Sequence, residues 1–142
     1  MNYARILAAA LSATIAYFTV GFALFTLPVM KREFAKYHAV YRPEVEIKRV
    51  FPIGMAATFA GIVALTVLYA RSYDSAAGFT GGVLLGTSVA IFAVCGFVIH
   101  NHVNLNIGWR LTIQQAIAYF IEWLLVGVVI GLIYKPSVAH WR

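Results

Sequence analysis

The stretch Leu111–Tyr134, LTIQQAIAYFIEWLLVGVVIGLIY, decides the fold. It is apolar on every helical face, carries one charge at Glu122, and is closed by Lys135 and Pro136. About 20 apolar residues at 1.5 Å rise cross a hydrocarbon core roughly 30 Å thick, so this run reads as a transmembrane helix. Strands of a membrane barrel alternate apolar and polar residues over about 10 positions, and this run does not. Three more runs share its character as the reading moves toward the N-terminus. Residues 76–99 hold no formal charge before the polar segment His100–Asn106, and residues 50–70 and 6–30 are also free of charge. The expected fold is all-α: one domain over 1–142, with spans 6–30, 50–70, 76–99 and 111–134 forming a four-helix bundle in a membrane.

The composition excludes the other classes. Of 142 residues, 62% are hydrophobic and 11% charged, whereas a soluble domain has about a quarter of its residues charged to cover its core. Disorder fails on the same ground. A disulfide scaffold fails because Cys95 is the only cysteine. A net charge of +6 does not make a nucleic-acid module, since that needs a solvated basic face that most of this chain lacks. The first span is too long for the apolar region of a signal peptide and continues through Phe22, Leu24, Phe25 and Leu27 without a small-residue cleavage site. It reads as a retained helix.

Basic residues set the expected orientation. Lys31, Arg32, Lys36, Arg42, Lys48, Arg49 and Arg110 lie on one side, against Arg5, Arg71, Lys135 and Arg142 on the other. Lys and Arg are retained in the cytoplasm, so the connection between the first two spans is expected there, with both termini outside. Within that connection, residues 31–49, Phe34, Tyr37, His38 and Tyr41 recur at the spacing of one helical face. The expectation is an amphipathic helix that continues the first span, stops before Pro43, and anchors in the headgroup zone of the bilayer.

Lipid gives helices little hydrophobic reason to associate, so small residues that permit close backbone approach mark packing faces. Gly78, Gly82, Gly86 and Ala90 form such a row in the third span, Gly54 and Gly61 with Ala57 and Ala64 in the second, and Gly127 and Gly131 in the fourth. The first span offers Ser12 and Ala16. These rows fit internal packing of the bundle, and the longest also fits a contact between copies.

Glu122 is the residue with the most chemistry. An acid at the centre of a span costs about 2.5 to 3.5 kcal/mol, so it is rarely left facing lipid. Gln115 and Tyr119 share its helical face, and Gly127 and Gly131 lie on roughly the opposite one. One reading is a proton carrier or cation ligand in a polar path. The other is a neutral carboxyl hydrogen-bonded to Tyr119, Gln115 or a hydroxyl of a neighbouring helix, such as Thr58, Thr66 or Thr87.

His100 and His102 form the second constellation, with Asn101, Asn104 and Asn106. Two histidines at i and i+2 share a side only on extended backbone, and a zinc site needs a further ligand, for which only His38 offers itself. Either histidine could serve alone as axial ligand to a haem or chlorophyll. A polar cap satisfying the helix end is the plainer reading. No metal site is assigned. Glycine-rich phosphate loops, HExxH pairs and serine or cysteine nucleophiles beside a base are all missing from the sequence, so no enzymatic activity is expected.

The segments FVIHNHVNLNIGWRLTIQQAIAYFIEWLLVGVVIGLIYKP, Phe97–Pro136, and YRPEVEIKRVFPIGMAA, Tyr41–Ala57, together resemble a family of small bacterial four-helix membrane proteins of unknown function. The resemblance implies a bacterial inner membrane and assigns no role to any residue. The expected function is a packing or accessory subunit of a homo-oligomer or a larger membrane complex. Its rivals are transport of a proton, cation or small solute at Glu122, and haem or chlorophyll binding in an electron-transfer or photosynthetic assembly.

Overall fold

A computed structural model describes residues 1–73 and 78–135. The chain is all-α: α1 (Tyr3–Phe25), α2 (Pro28–Ala35), α3 (Glu44–Arg71), α4 (Gly78–Asn104) and α5 (Trp109–Ile133). Among these, α1, α3, α4 and α5 are long and apolar enough to cross a membrane. They form a four-helix bundle of a multi-pass membrane protein, with apolar outer faces in contact with lipid.

Proline chemistry moves two helix boundaries. The first span was expected to run to residue 30, but Leu27 adopts φ −55° and ψ 138° ahead of Pro28, outside the helical region. A proline forces its predecessor out of that region and is well placed in the first turn of a helix, so Pro28 ends α1 and opens the separate helix α2. Pro43 was expected to stop a helix coming from the N-terminal side. It stands instead as N-cap of α3, which starts at Glu44 rather than at residue 50. Pro52 therefore sits inside α3, where it removes one backbone hydrogen bond, and it lies on the exposed face. The third span also runs past its expected end: Val94–Ile99 forms a π-helical segment and the helix continues to Asn104. Its expected start at residue 76 lies outside the described residues.

The order of packing is α3, α1, α5, α4, with α3 and α4 touching only sparsely. One apolar core gathers at the end holding the N-terminus. Ile6, Ala9, Ala10 and Ala13 of α1 meet Ile62, Tyr69 and Ala70 of α3 and Val126, Ile130 and Tyr134 at the end of α5. There the Tyr69 hydroxyl donates to the Gly78 carbonyl and ties α3 to the start of α4. The second core, Met30, Ile107, Leu111 and Ala118, lies at the opposite end under the α1–α3 connection.

The small-residue rows divide into two kinds. Gly82, Gly86 and Ala90 are the buried stripe of α4, facing Gly127 and Gly131 on α5. A Cβ placed on Gly82 would stand 2.5 Å from the Gly127 carbonyl oxygen and 2.6 Å from Gly131 Cα, and one on Gly86 would stand 2.7 Å from the Leu124 carbonyl oxygen. The two backbones are in contact, and no side chain fits between them. At Gly54 and Gly61 of α3 an added Cβ would meet nothing within 4 Å. Ala57 and Ala64 of the same row are exposed as well. Gly78, at the head of the α4 row, has φ +25° and open space at its Cβ position, so it serves the turn into the helix rather than the seam.

Candidate functional site

Glu122 is 1% exposed and faces α1, the neighbour of α5 opposite the glycine seam. Room for its carboxyl comes from a glycine: a Cβ on Gly21 of α1 would stand 2.5 Å from Glu122 Oε1. The phenol of Tyr17, four residues earlier on the same face of α1, also reaches the carboxyl. Oε2 is buried without a hydrogen-bond partner among the described residues. Such an oxygen in a native protein calls for an explanation, since leaving a buried acceptor unpaired costs about 1 to 3 kcal/mol.

The residues expected beside Glu122 occupy the same side of α5 but form a gradient rather than a cluster. Tyr119 lies within electrostatic range of both Glu122 and Tyr41. Its ring is caged edge-on between Phe25 of α1 and Phe97 of α4, at centroid distances of 5.9 and 5.5 Å. Gln115 does not reach the carboxyl; its Nε2 donates to the Tyr41 hydroxyl at 3.2 Å. Thr112 continues the line, with His102 Nδ1 at 3.0 Å from its hydroxyl. Polar groups thus run along α5 from the connection end as far as Glu122. Beyond Glu122 the same face is closed by Val126 and Ile130, buried in the core that α1 and α3 share with α5. Thr58, Thr66 and Thr87 supply no bond to the acid: the Thr66 hydroxyl donates to the Ile62 carbonyl of its own helix.

The connection is part of this site, and the single amphipathic helix expected to run up to Pro43 is not formed. Helix α2 ends at Ala35 and turns follow, so the four residues of the stripe do not share one helical face. Phe34, Tyr37 and Tyr41 fold inward against the second core, with Phe34 and Tyr41 in edge contact at 4.9 Å. The Tyr37 hydroxyl accepts from Gly108 N at 3.0 Å, and a Cβ on Gly108 would stand only 2.6 Å from that oxygen. His38 alone points outward.

His100 and His102 lie on α-helical backbone, which sends them to different faces. His100 is exposed; His102 stacks on Trp109 at 3.9 Å and engages Thr112. The two do not converge on a point.

Sequence reasoning missed Tyr17 and Gly21. The signal was present: Ala9, Ala13, Tyr17 and Gly21 recur every four residues, a row that competes with the Ser12 and Ala16 pair. It also missed the buried Glu33, whose Oε1 accepts from Lys36 Nζ at 2.7 Å and pairs with Arg110 Nε at 3.2 Å. That contact places Arg110 at the same end as the connection.

The other feature of interest is a lateral groove of about 780 Å³ between α3 and α4. Gly61, Ala64 and Leu68 form one wall, Val89, Phe92 and Phe97 the other, and Tyr119 and Trp123 of α5 also line it. It is open toward lipid, and Gly61 and Ala64 of its wall belong to the uncovered row of α3. No family model, curated protein or solved structure matches this chain.

Proposed function

We propose that the protein is a non-enzymatic subunit of a membrane assembly that associates with a second copy of itself through the outer face of α3. The observation carrying this reading is the uncovered row Gly54, Ala57, Gly61 and Ala64, where an added Cβ on either glycine meets nothing. Small residues are enriched where transmembrane helices meet, and a surface offered only to lipid gains nothing from them. Only 11% of the apolar window of α3 is buried within the chain, against 33% for α5. A row that packs on its own copy about a two-fold axis is self-complementary, as a closed dimer requires. The membrane is the bacterial inner membrane, following the family resemblance. The connection is cytoplasmic and both termini are outside, following the seven basic residues at one end against four at the other.

Replacing Gly61 by Leu, or Gly54 by Leu, tests the reading. Light scattering in mild detergent is expected to give a multiple of the 15.6 kDa chain for the native protein and the chain mass for the variants. The thermal midpoint of the isolated chain should stay unchanged, because nothing within it contacts either position. A native protein that is already monomeric, or variants that associate as well as it does, would defeat the assignment.

A second reading is favoured by one observation, the unpartnered Oε2 of Glu122 at the end of a polar line. In that reading Glu122 binds a proton or cation arriving from the connection end, with Tyr17 and Tyr119 beside it, and the apolar closure at Val126 and Ile130 is the barrier that a transport cycle would open.

A further inference from the structure

At the connection end, Leu27, Pro28, Val29, Arg32, Glu33, Lys36 and Arg110 enclose a cavity of about 520 Å³. Its charge is organised by Glu33, whose side chain is 4% exposed. A single carboxylate oxygen takes both Lys36 Nζ and Arg110 Nε, so two cations far apart in sequence are drawn to one point. Both remain largely open on their other side, with side chains 56% and 69% exposed. Pairing through Nε leaves the terminal guanidinium nitrogens of Arg110 free to meet a second anion. Arg32, on the same wall, has no ion pair among the described residues and brings the balance to three cations against one anion.

We propose that Arg32, Lys36 and Arg110 hold the phosphate of an anionic phospholipid, with Glu33 as the positioning residue. The chemistry matches from both directions. A phosphodiester offers two unesterified oxygens to a guanidinium fork and an ammonium, the pairing in which arginine excels. The remaining wall is apolar and faces outward, with Leu27 46% and Val29 45% exposed, so the glycerol and first acyl carbons lie against hydrocarbon while the phosphate meets the bases. Basic pockets between transmembrane helices at the cytoplasmic face are where anionic headgroups bind. A free phosphate ion would satisfy the cations but leave Leu27, Pro28 and Val29 without a partner, which favours the lipid.

Native mass spectrometry of the full chain in mild detergent, offered equal amounts of phosphatidylglycerol and phosphatidylcholine with the same acyl chains, tests this directly. The native chain is expected to retain phosphatidylglycerol with a preference of roughly tenfold, on the scale of a few uncompensated basic groups near the surface. Arg32→Gln disturbs neither partner of Glu33, so the fold stays intact while most of the preference is lost. Arg71→Gln with Lys135→Gln removes two cations from the opposite end and leaves the preference unchanged. Millimolar inorganic phosphate should not displace the lipid. A native chain without preference, an equal loss from the opposite-end pair, or full displacement by inorganic phosphate would each overturn the assignment.

Discussion

Gly127→Leu is expected to separate α4 from α5 and to lower the stability of the fold by upwards of about 3 kcal/mol, the top of the range for overpacking a core. The reason is that the obstacle is backbone. A Cβ at Gly127 would collide with the Gly82 carbonyl oxygen and with the N and Cα of Gly86, none of which can turn aside as a side chain does. The only relief is to move one helix away from the other along the whole seam, which also uncovers Ala90 and Gly131. Thermal loss of helical signal in detergent measures the effect, and Gly82→Leu should reproduce it from the other side. Gly54→Leu provides the contrast, since its surroundings are open and its midpoint should not move. An unchanged midpoint for Gly127→Leu would mean that the seam is not as closely packed as the contacts describe.

Glu122→Met is expected to make the protein more stable, by about 1 to 3 kcal/mol, the cost of a buried acceptor left unpaired. Methionine has a similar length, adapts to irregular space, and places no oxygen against Gly21. Its cost is a Tyr17 hydroxyl left without its acceptor, so the change is made in a Tyr17→Phe background, where no hydroxyl is orphaned and the gain is read directly. A rise in the thermal midpoint would show that the carboxyl is kept at the expense of stability, as groups retained for function are. The same variant should abolish any proton or cation flux of the native chain in proteoliposomes. A fall in midpoint of comparable size would make Glu122 an architectural residue and remove the transport reading.

The four membrane helices were legible because hydrocarbon tolerates few charges, and a run without them is hard to mistake. Boundaries were less so. Pro28 and Pro43 each announce a break, but whether a proline ends one helix or begins the next depends on which neighbouring segment finds a core. Here Met30 and Phe34 found one beneath Ile107 and Leu111, and that turned the connection inward. Sequence spacing identified the face holding Glu122, Tyr119 and Gln115. It could not show that Gln115 pairs with Tyr41, 74 residues away in the chain, because that contact requires the connection to fold back over α5. The glycine rows were legible as rows, whereas their partners were not. Two of them meet each other and the third faces outward, and a period of four residues looks the same in either case.

The outward row bears the central claim, and disulfide cross-linking in native membranes tests it without detergent. Cys95 is first replaced by Ser, since it is exposed and would cross-link by itself. Ala57→Cys, on the open face of α3, is then expected to give an intermolecular disulfide on mild oxidation, while Leu11→Cys, on the exposed face of α1, stays monomeric. Monomer at Ala57→Cys, or cross-linking equal at both positions, would contradict association through α3.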